Sequence, residues 1–162
     1  MKRRIIVKYR RTREGKTDYR LRLKLLLSHK PRLVIRKSNN NMICQIIEYD
    51  QKGDRVIASA HSSELKKMGW TKGTGNTTAA YFTGALAAKK AIKKGVKEGV
   101  VDFGLQEVVK GSRLYAALKG AYDAGFKIKI GDGVLPSEDR IAGAHNKIDR
   151  NEFESFKKKI IS

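Results

Sequence analysis

The sequence is short of acidic residues, cysteine and long apolar runs, and each shortage excludes a class of protein. Only 16 Asp and Glu stand against 36 Lys and Arg, giving a net charge of +20. That excess is far beyond what solubility requires, so a polyanionic partner is its natural explanation. Cys44 is the lone cysteine and sits in an apolar alternating run. It reads as a small core or face residue, and with no second cysteine in the chain an internal disulfide is excluded, which suits a reducing compartment. No stretch approaches the roughly 18 apolar residues of a membrane span, and the basic start MKRRIIVKYRR lacks the apolar segment of a signal peptide. The expectation is a soluble, cytoplasmic protein with no membrane partner. Hydrophobic residues make up 40% of the chain, too many for a disordered basic tail, so a folded body lies under the charge.

The phosphate loops of nucleotide enzymes are also missing. KGTGNTTAAYFTGALAAKKAIKKG, residues 72–95, has two glycines and then a long helix, but a dinucleotide fingerprint needs a third glycine where Thr78 stands. The preceding SSELKKMGW reads as a short polar helix, not as the buried strand such a turn must follow. No GxxxxGK[ST] occurs either. What remains is a loop whose helix start, with Asn76 or Thr77 as N-cap, serves either as plain capping or as an anion contact. Trp70, next to Lys72, suits either a hydrophobic anchor or a stacking platform.

The charge is concentrated at one end. Residues 1–30 hold twelve Lys or Arg against Glu14 and Asp18, half of the net total, whereas residues 131–162 balance six against six. YRRTREGKT has no periodicity and reads as an extended arm. TDYRLRLKLLLSH reads as a short helix capped by Thr17 or Asp18, docking through Tyr19, Leu23, Leu26 and Leu27 and leaving Arg20, Arg22 and Lys24 outside. RLVIRK, NMICQIIEY and DRVIASA are strands separated by turn clusters of hairpin length, an antiparallel meander.

A helix from about 77 to 97 follows, with Ala80, Gly84, Ala87, Ala88, Ala91 and Ile92 on its buried side and Lys89, Lys90, Lys93, Lys94 and Lys97 opposite. Those lysines form either a solvated face or a contact. Phe82 and Leu86 lie on the lysine side, so either the C-terminal segment or a partner should cover them. GVVDFGL reads as a strand parallel to the meander, GSRLYAALKGAYDAG as a second helix capped by Ser112 with Leu114, Leu118, Ala121 and Tyr122 inward, and FKIKI as a last strand. The fold expected is α/β: a mixed sheet with helices packed on it. Three parts are expected, namely a basic arm and short helix at 1–30, an RNA-binding body at 31–130 and a largely irregular extension at 131–162 ending in a helical tail.

A catalytic role finds little support. A meander followed by helix, strand and helix is also how ribonuclease H-like nucleases begin, but their first strand carries a metal-binding carboxylate and RLVIRK has none. Glu48 and Asp50 lie near a hairpin end, Asp54 across that turn, and Asp102 begins a strand far along the chain. His29, His61 and His145 lie in separate segments without metal-ligand spacing. No metal, cofactor or catalytic residue is expected. A basic arm on a compact body, without a recognition helix, points to RNA held through its phosphates and shape. General nucleic-acid packaging is the alternative.

Four blocks in order, YRRTREGKTDYRLRLKLLLSHKPRLVIRKSNN, SAHSSELKKMGW, TGNTTAAYFTG and DGVLPSEDRIAGAH, together resemble the archaeal-type, eukaryote-like version of the large-subunit ribosomal protein eighteen family. The resemblance runs from the arm to about His145. It implies an α/β body that binds 5S rRNA, seats it on the large-subunit rRNA in the central protuberance and touches neighbouring ribosomal proteins. It implies RNA contacts for Arg3, Arg4, Lys8, Tyr9, Arg10, Arg11, Arg13, Lys16, Tyr19, Arg20 and Arg22 in the arm and its helix. At the first hairpin it implies the same for Arg36, Lys37 and Asn39, and at the glycine loop for Lys72, Gly73, Gly75, Asn76 and Thr77.

Overall fold

The computed structural model describes residues 7–161, so the expected contacts Arg3 and Arg4 lie outside the described residues. A single helical turn, α1 (Arg10–Arg13), leads to α2 (Tyr19–Leu26) and then to the strands β1 (Arg32–Lys37), β2 (Met42–Glu48) and β3 (Arg55–His61). The arm segment expected to be extended therefore carries one turn of helix. Ser38 closes the first hairpin, its amide donating to the Asn41 carbonyl at 2.9 Å. After α3 (Glu64–Lys67) comes the long helix α4 (Thr77–Lys93), whose crossover lays β4 (Val100–Asp102) parallel to β1. The sheet order is β3-β2-β1-β4, with antiparallel pairing throughout the meander.

Alternation sets what β2 and β3 bury, whereas β1 is buried on both faces from Arg32 to Ile35. Leu33 and Ile35, Met42, Cys44 and Ile46, and Ala58 and Ala60 all enter the core. There α4 covers β2 and β3, while α5 (Arg113–Asp123) covers β1. Burial pushes the Cys44 thiol up to about 12, so it stays protonated as an inert core group. The two helices cross in reciprocal contact, Gly84 of α4 against the Ala117 backbone and Gly120 of α5 against the Tyr81 backbone. The small-residue stripe on α4 thus admits a helix as well as the sheet. Lys90 and Lys94 donate to the Ser59 and Ile57 carbonyls of β3, so these two lysines serve the sheet edge.

The C-terminal part contains α6 (Glu138–Ala142), a 3-10 turn (Ala144–Asn146) and α7 (Arg150–Ile161). The expected cover for Phe82 is this segment. Phe153 stacks on Phe82 with ring centroids 5.2 Å apart, and Phe156 touches both Phe82 and Trp70. Trp70 is 3% exposed, which makes it an anchor and excludes it as a stacking platform.

Three local expectations change. FKIKI forms no strand; a single parallel bridge joins Glu98 to Lys127. Phe126 is pinned in the core while the chain turns away from β4 at Gly104, whose amide donates to Asp102. A cleft of about 610 Å³ lies between the diverging segments. Tyr122 points outward, half exposed, because α5 already fills its core side with Leu114, Leu118 and Ala121. Finally, α2 is rotated: Tyr19, Leu23 and Leu27 are exposed and Arg22 faces the body.

Candidate nucleic-acid interface

The rotation of α2 has an electrostatic cause. Leucines occupy positions 21, 23, 25, 26 and 27, all round the helix, so apolar spacing does not select a face. Asp54 does. It receives both terminal nitrogens of Arg22, at 2.9 and 2.8 Å, and one from Arg32 at 2.5 Å. Arg32, whose side chain is only 5% exposed, donates its other end to Asp102 at 2.7 Å. Arg36 completes the chain by donating to the Asp102 carboxylate and carbonyl. Arg22–Asp54–Arg32–Asp102–Arg36 is therefore one network tying α2 to β1, the turn before β3, and β4. It brings together two of the carboxylates considered for a nuclease, but arginines occupy their oxygens. Among the described residues no group of three or more His, Cys, Asp or Glu is placed to hold a metal.

The hydrogen bond from Arg22, opposed by burial and helped by Arg32, holds the Asp54 carboxyl below its ordinary value. A depressed folded-state pKa contributes stability that is present above the unfolded value, about 3.9 for aspartate, and is lost as pH falls through the folded value. Asp54→Asn is expected to lower stability at neutral pH by about 1.5–3 kcal/mol, the range for hydrogen bonds to charged groups. Thermal melting of both proteins should show the gap closing only below about pH 4. A gap already gone at pH 5 would contradict this role.

Around that network lies a polar cleft of about 260 Å³ lined by Arg11, Lys16, Arg22, Arg32 and Arg36 among others. Asp18 caps α2, accepting from the Arg20 and Leu21 amides, and Arg11 donates to Thr17 at 2.9 Å. These bonds fix the arm turn and leave Lys8, Arg10, Arg11, Arg13, Lys16 and Arg20 exposed. Arg10 and Lys16 share Glu14 in exposed pairs that a phosphate can replace at little cost. Arg22, by contrast, is committed to Asp54, and Arg36 is half-committed to Asp102.

A second basic cluster forms where the β1–β2 hairpin meets the glycine loop. The Thr74 hydroxyl donates to the Asn40 carbonyl at 2.9 Å. Arg113 donates to the carbonyls of Gly75, at 2.5 Å, and Asn39, at 3.3 Å. Asn39, Lys66, Lys72 and Gly73 surround a shallow cleft on this surface. Lys37 lies between the two clusters at the end of β1. Asn76, not Thr77, is the cap of α4, accepting from the Ala79 amide at 2.7 Å. Thr77 is buried, so it offers no surface to RNA.

The glycines differ as well. A Cβ on Gly73 meets nothing within 4 Å, whereas one on Gly75 would stand 3.0 Å from the Asn39 and Asn40 backbone. Close approach to the hairpin is thus what position 75 requires. Gly75→Val is expected to cost about 1–3 kcal/mol through overpacking. Gly73→Val should stay within about 0.5 kcal/mol of the parent, as surface changes do. Urea melts distinguish them, and equal midpoints for the two variants would refute the assignment. Lys66, one of the adjacent pair Lys66 and Lys67 on α3, and Arg113, at the start of α5, escaped the sequence reading because neither belongs to the loop's sequence pattern; only the folded hairpin puts them there.

Comparison with known proteins identifies a matching family and similar chains. The family described as ribosomal large subunit proteins 60S L5, and 50S L18, matches residues 3–101, a span holding both clusters except Arg113. The chain is similar to the protein named large ribosomal subunit protein uL18 from Thermofilum pendens, 58% identical over 139 residues, covering 86% of this chain and 71% of the relative. It is 54% identical to the protein of the same name from Methanococcus maripaludis over 151 residues, 93% of this chain and 77% of the relative. A third, from Methanothermobacter thermautotrophicus, is 52% identical over 137 residues, 85% of this chain and 71% of its own length.

Proposed function

The chain belongs to the family of ribosomal large subunit proteins 60S L5 and 50S L18, and from that premise we propose that it binds 5S rRNA and helps attach it to the large-subunit rRNA in the central protuberance. Membership makes it a structural constituent of the large ribosomal subunit, working in translation on the cytoplasmic ribosome, and not an enzyme. Among the described residues no helix is long and apolar enough to cross a membrane.

The observation that carries the finer reading is the placement of uncommitted cations. Lys8, Arg10, Arg11, Arg13, Lys16 and Arg20 are exposed on the arm and α2, where Arg11 and Lys16 line the cleft along Arg32, Val34 and Arg36 of β1, and Lys66 and Lys72 line the cleft at the β1–β2 hairpin. β1 runs along the first cleft and its hairpin reaches the second, and a six-residue strand spans roughly 16 Å, a length over which a folded RNA offers several phosphates. Arg36, exposed on one side, bridges the two groups. Asn39 and Gly73 supply polar and open backbone surface between the cations. Large-subunit rRNA and neighbouring ribosomal proteins are the further partners of this reading.

Filter binding tests it. Labelled 5S rRNA should be retained in the presence of an excess of unrelated duplex RNA of equal length. Equal displacement by that duplex would reduce the protein to a general packaging cation.

A further inference from the structure

The arm carries two aromatic rings that the core does not use. Tyr9 is 75% exposed and Tyr19 40% exposed, yet their rings lie together, centroids 5.3 Å apart and planes tilted by 59°. The arm turn between α1 and α2 creates this pair, bringing the residue before the first helix onto the first residue of the second. Among the described residues neither hydroxyl has a hydrogen-bond partner. Neither ring belongs to the buried core, so core stability does not explain the pair.

Its surroundings narrow the choice of ligand. Residues 7–30 hold nine Lys and Arg against two acids; Arg10 and Arg20 adjoin the rings in sequence, and Arg13 follows Tyr9 at the end of α1. Such a field selects a polyanion. A paired duplex offers the field only phosphates, with its base faces stacked on each other, whereas an unpaired nucleotide offers both a phosphate and a free π-face. Tyr19 also supports Tyr9 from one side, which lowers the ordering needed when a base settles on the other.

We infer that Tyr9 and Tyr19 form a stacking platform for an unpaired RNA base, with Arg10, Arg13 and Arg20 holding the phosphates on either side. This rests on the RNA-binding reading above and adds a contribution to it that salt does not screen. Stacking on an aromatic ring is lost on alanine substitution by about 5- to 150-fold in affinity, the equivalent of roughly 1–3 kcal/mol per base.

The test uses the full chain and compares Tyr9→Ala/Tyr19→Ala with Tyr9→Phe/Tyr19→Phe. Three probes are used: 5S rRNA, a short single-stranded oligoadenylate, and a fully paired RNA duplex. The alanine variant should melt as the parent does, bind oligoadenylate and 5S rRNA more weakly by that factor, and keep the parent's slope of log affinity against log salt. Its duplex affinity should be unchanged, and the phenylalanine variant should match the parent on all three probes. Unchanged oligoadenylate affinity in the alanine variant would overturn the platform and assign the rings to a protein neighbour. A phenylalanine variant as weak as the alanine one would overturn it in favour of hydroxyl contacts. Failure of the parent to prefer 5S rRNA over duplex would defeat the 5S reading alone, since oligoadenylate still reports on stacking.

Discussion

Affinity for 5S rRNA is expected to fall by roughly 10³ to 10⁵ between about 50 and 200 mM salt, the consequence of releasing counterions from six to ten phosphates. The structure supplies cations for such a number. Lys8, Arg10, Arg11, Arg13, Lys16, Arg20, Lys37, Lys66 and Lys72 all reach solvent, and those with acidic neighbours have them only in exposed pairs or, for Lys72 and Glu152, at 3.9 Å. Arg22 and Arg32 are left out because Asp54 and Asp102 hold them, and extracting either would leave a carboxylate unpaired. Asp54→Asn should therefore change stability far more than it changes the slope. Filter binding over a salt series measures that slope, and a nearly flat plot would rule out phosphate recognition as the main source of affinity.

The second large effect concerns the body. Replacing Gly120 by alanine is expected to cost about 3 kcal/mol or more, the upper range for overpacking, and valine more still. A Cβ built at Gly120 stands 1.9 Å from the Tyr81 carbonyl oxygen, and one at Gly84 stands 1.9 Å from that of Ala117. The obstacles are helix backbone, which cannot rotate aside as a side chain would. Nor can the helices simply separate. α4 is pressed on β2 and β3 and covered by α7, and α5 lies on β1. A loss of this size is a large share of the roughly 5–15 kcal/mol that holds a domain together. The double variant Gly84→Ala/Gly120→Ala should cost less than the two singles added, because helices already forced apart admit the second methyl more easily. Parent-like denaturation of Gly120→Ala would mean that α4 and α5 do not cross at these glycines.

What was legible in the sequence follows from how local each signal is. The meander, the parallel strand after the crossover and the long helix all come from spacing within one segment, and their structure agrees with it. Asp18 and Asn76 at the starts of α2 and α4 are local in the same sense: each accepts amides two or three residues on. The face of α2 is different, because five leucines spread round the helix leave the choice to Asp54, 32 residues beyond Arg22. FKIKI has the alternation of a strand, but pairing also needs a neighbour, and β4 ends after three residues. The interface divides along the same line. A run of cations at 1–30 declares itself in composition, whereas which of them are free depends on ion pairs from distant turns. Arg113 and Lys66 become part of a basic surface only after the hairpin and glycine loop meet.

Recognition of 5S rRNA in the large subunit is the function proposed for this chain. It is tested most directly by purifying the tagged full-length protein from its own cells, after dissociating ribosomes in high salt and restoring moderate salt, and sequencing the RNA that remains bound. 5S rRNA should be the dominant species, well above its share of cellular RNA, with large-subunit rRNA fragments next. A bound population that mirrors total cellular RNA would contradict it.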